Sequence, residues 1–238
     1  MRSPRLVLAA ALLSAASAVA ASAMERPRGV VELFTSQGCS SCPPADRIVG
    51  ELAKDPSLVV LSLPVDYWDY IGWKDTLASP QCTARQKGYA AARGDGQVYT
   101  PQAVIDGLTH VVGADREAIL RNVNVDRSAK GAMSVEVSAT VAGGKASVDV
   151  GAGAGKSGAV LLLEVEPSAT VDVGRGENAG RKLTYTNIVR RISRIGDYSG
   201  KSAHFEAPAP TGEMRYVALV QAGDVDKPGA ILGAAQAK

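Results

Sequence analysis

Apolar and polar residues follow one rule along the first half of the chain and another along the second. Residues 29–35 (GVVELFT) and 58–65 (LVVLSLPV) are short, nearly continuous apolar runs, the pattern of strands buried on both faces. Between them Ile48, Val49, Leu52 and Ala53 recur at helical spacing. That helix is opened by Pro43-Pro44, which suit a first turn because its N–H groups need no partner, and is stopped by Asp55-Pro56. A polar and aromatic loop over 66–73 comes next, then a helix over 81–93 and a strand over 97–105. Asp106-Gly107 signals a hairpin with a return strand over 108–112, and a last helix runs from 115 to about 125. From residue 130 the period becomes two: 134–141, 145–150, 159–166, 183–192, 203–207 and 214–221 read as strands between glycine-rich turns. The pattern predicts an α/β domain over 27–127 and a β-rich domain over 130–238, an antiparallel sandwich or open barrel.

Composition narrows the class. The 238 residues are 46% hydrophobic, 5% aromatic and 21% charged, with only three cysteines, which excludes both a disulfide-dense mini-scaffold and a disordered chain. Residues 1–23 carry Arg2 and Arg5, an uncharged Ala/Leu-rich run over 6–23, and the closing triplet Ala21-Ser22-Ala23. They read as a signal peptide whose removal leaves a soluble periplasmic or secreted protein with no stable membrane span. Losing the two arginines takes the formal charge from +2 to zero, so no nucleic-acid or membrane-surface partner is implied.

An oxidising compartment makes the Cys39-Ser40-Ser41-Cys42 motif a redox or structural pair before a metal site. It stands where a strand passes into a helix, so the positive end of the helix dipole and its free N–H groups favour a Cys39 thiolate. Cys39 is the expected nucleophile at the exposed end of the turn, and Cys42 the buried resolving thiol. Ser40 and Ser41 supply hydroxyls but no charge. Pro101 lies just inside a later strand and is expected to be cis, leaving the Thr100 backbone free to pair with an extended substrate. Motif, proline and terminal hairpin together resemble a thioredoxin fold.

Two acids are possible proton shuttles. Glu32 is the one charge in an apolar strand, yet it stands one position off the register at which thioredoxins carry their acid, so a salt-bridged strand residue is the competing reading. Asp66, with Trp68 and Trp73, lies in the loop leaving the second strand, which forms either a substrate-binding surface or a packed aromatic loop. Cys82 is the odd cysteine, with three readings open: a buried inert thiol, an intermolecular partner, or a third redox thiol. The β-rich half holds one histidine, His204, and no cysteine, so no chemistry of its own is expected. Its loop 175–181 (RGENAGR) reads as a hydrated turn or as a recognition loop facing the thiols. No cofactor is called for, and two cysteines with His110 and His204 fall short of a metal site.

The stretch Val31-Glu32-Leu33-Phe34-Thr35-Ser36-Gln37-Gly38-Cys39-Ser40-Ser41-Cys42-Pro43-Pro44-Ala45-Asp46 resembles the bacterial secreted family filed as domain of unknown function 1223. Later stretches share the likeness: Val65-Asp66-Tyr67-Trp68-Asp69, Gly72-Trp73-Lys74-Asp75, Tyr99-Thr100-Pro101-Gln102 and Gly176-Glu177-Asn178-Ala179-Gly180-Arg181. The resemblance implies a thioredoxin-like fold and a functional Cys39/Cys42 pair, without naming a substrate. A histidine is common in that family where Pro64 stands, and an aromatic where Cys82 stands. The expected function is an exported thiol-disulfide oxidoreductase exchanging with protein thiols or disulfides and with a redox partner protein. Its rivals are a binding module braced by a permanent Cys39–Cys42 disulfide and, with a weaker ligand set, a metal chaperone.

Overall fold

The first two apolar runs form parallel strands β1 (Gly29–Thr35) and β2 (Leu58–Pro64) in a computed structural model that describes residues 26–125, 130–209, 212–224 and 226–237. The predicted export segment lies outside the described residues. Helix α1 (Pro43–Leu52) crosses between these strands, and α2 (Pro80–Arg93) follows a single 3-10 turn at Asp69–Ile71. Ser79 caps α2 by accepting the Gln81 N–H, and Gly94 ends it in the left-handed conformation. Strands β3 (Gln102–Ile105) and β4 (Thr109–Val112) form the expected hairpin, and α3 (Arg116–Val123) is capped by Asp115. The second half supplies β5 (Val137–Ala142), β6 (Lys145–Val150), β7 (Gly158–Asp172), β8 (Lys182–Tyr198), β9 (Ala203–Pro208), β10 (Arg215–Asp224) and β11 (Lys227–Gln236).

The expectation of a thioredoxin-like α/β domain followed by a separate β-sandwich is overturned. The chain is mostly β, with three α-helices among the described residues and one mixed eight-stranded sheet running through both halves in the order β11-β10-β7-β8-β2-β1-β3-β4. The junction is the parallel pairing of β2 with β8 at Ser62 and Ile188, reinforced by the Ser62 hydroxyl, which donates to the Thr186 carbonyl at 2.8 Å. An apolar strand such as β2 would otherwise leave an unpaired edge, and β8 covers it. Among the described residues, β5-β6-β9 form a second sheet.

Alternation explains how one sheet carries several layers. Along β1, Val31 and Leu33 face α1 and α3, whereas Val30 and Phe34 face α2. In β7, Leu161 and Leu163 join the core that α2 covers, while Val160 and Leu162 face the three-stranded sheet. The α2-side core takes residues from β1, β2, β3, β7, β8, β10 and β11, so both halves share it.

Glu32 has the parity of Val30 and Phe34 and therefore points away from α1. It is fully buried and meets Arg85 of α2, also fully buried, with Nε at 2.6 Å and Nη2 at 3.1 Å. Tyr89 donates its hydroxyl to the same carboxylate at 2.5 Å and accepts from Gln221 Nε2 at 2.9 Å. Removing one partner of such a pair strands a buried charge, so Arg85→Ala should lose about 3–5 kcal/mol in equilibrium urea unfolding. Replacing Glu32 and Arg85 together by Leu and Met should recover part of that loss, and an Arg85→Ala midpoint equal to wild type would contradict the account.

Candidate functional site

The site is the turn between β1 and α1. Thr35 ends the strand, Ser36-Gln37-Gly38 turn the chain, and Cys39 and Cys42 are joined as a disulfide with Cα atoms 5.4 Å apart. Cys42 occupies the N-cap of α1 without a side-chain cap bond, and Pro43 and Pro44 fill the first helical positions. Those prolines remove two N–H groups that a helix N-terminus ordinarily presents. The next two, of Ala45 and Asp46, both bond the Cys42 carbonyl. The supply of backbone donors for a thiolate is thus smaller than the motif alone implies.

Cys39 is not exposed, contrary to expectation. Only 1% of its surface is accessible and Cys42 is fully buried, while Ser40 and Ser41 between them face solvent. Ser41 Oγ lies 3.4 Å from Cys39 Sγ. Cover comes from two loops. The loop after β2 approaches so closely that a Cβ at Gly38 would fall 2.9 Å from Trp68 Cβ and 3.1 Å from Ile71 Cδ1, so the position requires glycine. The loop between β7 and β8 reaches over from the other half of the chain. Asn178, fully buried, donates Nδ2 to the carbonyls of Gln37 and Cys39, both at 2.9 Å, and Glu177 accepts the Ser40 N–H at 3.1 Å. Of the two sequence readings of loop 175–181, the structure places it against the cysteines.

Trp68, Trp73, Thr100 and Pro101 are all brought to this region. Trp68 donates Nε1 to Thr100 Oγ1 at 2.8 Å and stacks on Tyr70, which is 81% exposed, with ring centroids 6.5 Å apart. Trp73 donates Nε1 to Gln37 Oε1 at 2.8 Å. The Thr100–Pro101 peptide is cis, and Gly113 separates Pro101 from Ala45 in the first turn of α1.

Neither acid singled out as a shuttle faces the disulfide. Glu32 is held by Arg85 and Tyr89 on the opposite face of the sheet, and Asp66 accepts the Thr83 hydroxyl of α2 at 2.6 Å. Cys82 is a free, buried thiol in the α2-side core, and burial pushes it up to about 12, which leaves it inert at ordinary pH.

The acid that follows the cysteine pair on α1 is Asp46, one helical turn beyond Cys42. It is 4% exposed; Thr35 donates Oγ1 to its Oδ1 at 2.7 Å, and its Oδ2 has no partner among the described residues. Burial pushes its carboxyl up to about 8, outweighing the Thr35 bond. A carboxyl in the first turn of a helix ordinarily gains from the dipole, and here desolvation wins. Asp75, also buried, accepts the N–H groups of Gln37 at 2.8 Å, Leu77 at 2.8 Å and Ala78 at 3.1 Å, and so anchors the turn. The Tyr185 hydroxyl of β8 is buried without a partner among the described residues and is pushed up by burial and then by the Asp46 and Asp75 charges. The Asp46 spacing from Cys42 was available as a signal in the sequence; its burial and the approach of Tyr185 were not. Among the described residues no group of three His, Cys, Asp or Glu is placed to hold a metal.

Two outcomes check this geometry. Asn178→Ala leaves the buried Gln37 carbonyl without its donor and takes one of two donors from the Cys39 carbonyl, and it should cost about 1–3 kcal/mol in urea unfolding, with faster reduction of the disulfide by dithiothreitol. Asp46 keeps its proton in the fold up to about pH 8 and loses it near 4 when unfolded. Stability from this group is therefore full below about pH 4 and falls as pH rises towards 8, by up to about 1.4 kcal/mol per pH unit. Asp46→Asn should remove that slope from a series of unfolding curves.

Among solved structures, the chain is similar to a protein from Agrobacterium tumefaciens determined by X-ray crystallography. The two are 37% identical over 90% of this chain and 95% of that one, with a TM-score of 0.80. It is also similar to HBP35 of Porphyromonas gingivalis, at 12% identity over 89% of this chain and 74% of that one, TM-score 0.61, a likeness of fold alone. No curated protein matches it. The family model described as "Protein of unknown function (DUF1223)" matches residues 30–221, and the chain belongs to that family.

Proposed function

We propose that the Cys39–Cys42 disulfide is redox-active and that the protein, exported by a bacterium on the leader read at residues 1–23, exchanges it with thiols of protein substrates. The observation that carries this reading is Asp46: a buried carboxyl with an unpartnered oxygen is costly to keep, and a disulfide serving only as a brace gives no reason to keep it one turn from Cys42. In the oxidising direction a substrate thiolate attacks Cys39 Sγ and the Cys39–Cys42 bond breaks. The electron pair goes to Cys42 Sγ, which takes the proton that Asp46 holds at neutral pH. A second substrate thiolate then attacks the substrate sulfur of the mixed disulfide and releases Cys39 thiolate, so the substrate dithiol is oxidised as the pair is reduced. The same steps reversed make the protein a reductant, with Asp46 carboxylate taking the Cys42 proton; a redox partner protein sets the direction. Trp68, Tyr70 and Thr100 form the surface beside the disulfide on which an extended polypeptide would rest.

One observation favours the rival reading of a structural brace in a binding module. Cys39 is only 1% exposed, so exchange requires the covering loops to shift. The two readings separate in one assay of dithiol oxidation and disulfide reduction on a model protein. Cys39→Ser and Cys42→Ser should abolish turnover, and Asp46→Asn should slow it at least about tenfold with loss of the pH dependence near 8. Wild type no faster than both serine variants would establish the brace instead.

A further inference from the structure

Glu177 is exposed, and among the described residues its carboxylate is paired with no cation. Its loop lies between β7 and β8, and it accepts the N–H of Ser40, the first amide after Cys39, at 3.1 Å. The bonds to Ser40, from its side chain and then its N–H, hold Glu177 below its ordinary value, so it stays charged at neutral pH. The arginine beside it, Arg181, is turned to Asn178 Oδ1 at 3.0 Å.

We infer that Glu177 sets the redox poise of the Cys39–Cys42 pair from the far half of the chain, holding the disulfide form against reduction. This deepens the proposed exchange reading by naming a positioning residue that regulates the same site. Two effects act with one sign. Glu177 occupies an amide that would otherwise be free to face a Cys39 thiolate, in a helix start where Pro43 and Pro44 have already removed two donors. Its negative charge also opposes the charge that appears on Cys39 when the pair is opened. The other titratable or charged groups on the elements that meet at the pair are Asp46 and Arg47 on α1, Asp75 in the loop after β2, Tyr185 on β8, and Arg175 and Arg181 in the loop of Glu177 itself. Of these charged groups, none takes the Ser40 amide.

The test is the equilibrium of the pair with glutathione redox buffers at pH 9, where a cysteine thiolate is well populated. Glu177→Gln keeps a side-chain oxygen for the Ser40 N–H and removes only the charge. A full charge one hydrogen bond and one residue away, largely in water, changes such an equilibrium by about threefold. Glu177→Gln should therefore be reduced about threefold more readily, about 14 mV, and Glu177→Lys further in the same direction. In 1 M salt the difference from wild type should shrink, because the charge is exposed and screened. Glu206→Gln, which removes a charge from the three-stranded sheet, should leave the equilibrium where it was. An equilibrium for Glu177→Gln equal to wild type at low salt, or a shift untouched by 1 M salt, would overturn the inference. The measurement reads the pair itself, so it stands even if no protein substrate is turned over, and a failure of the exchange assay leaves it intact.

Discussion

Glu32 puts a charge in the middle of the sheet, and the fold is arranged so that this charge is never alone. Its carboxylate takes two bonds from Arg85 and one from Tyr89, both on α2, and Tyr89 is held in turn by Gln221 of β10. Gln221 also donates to the Gly229 carbonyl of β11 at 2.9 Å. A central strand, a helix and the far end of the sheet thus meet at one buried polar cluster. Apolar packing is tolerant of slippage, whereas a buried carboxylate is satisfied in one arrangement only, so the cluster selects a single seating of α2 on the sheet. Because β1 leads directly into Cys39, that seating also fixes where the turn begins.

From that fixed strand the two faces of the sheet divide their tasks. The α2 face carries the ion pair and the inert Cys82. Across the sheet, Thr35 at the end of β1 bonds Asp46 in the first turn of α1, and Tyr185 comes up from β8. Parity along β1 is what separates them: Glu32 and Thr35 are three residues apart and so point to opposite faces. The β-rich half then closes the site, since both the backbone clamp of Asn178 and the carboxylate of Glu177 arrive on the β7–β8 connection.

Local pattern carried much of this. The apolar runs of β1 and β2, the proline start of α1, the Asp106-Gly107 hairpin and the period-two strands are written in short stretches of chain, and each is found near its expected position. The joining of β2 to β8 is not local; it depends on which edge a long strand finds, and alternation says nothing of that. The same limit applied to the site. The Cys-x-x-Cys pair and Thr100-Pro101 announced themselves by residue type, and the misregister of Glu32 was legible as a reason to doubt it as a shuttle. Asp46 is by type and position one acid in a first helical turn, and its burial depends on packing that residue type does not announce.

The clamp on the cysteine turn comes from a residue 139 positions downstream. Because a chain is made from its N-terminus, the cysteine turn lacks its second covering loop for as long as the segment that brings Asn178 has yet to be synthesised and docked. The β7–β8 hairpin must dock on β2 through the long-range pairing of Ser62 with Ile188 before Asn178 can reach the turn, and that docking completes the cover of Cys39. The accessibility of one sulfur atom therefore keeps time for the joining of the two halves: its cover is incomplete until β8 lies beside β2.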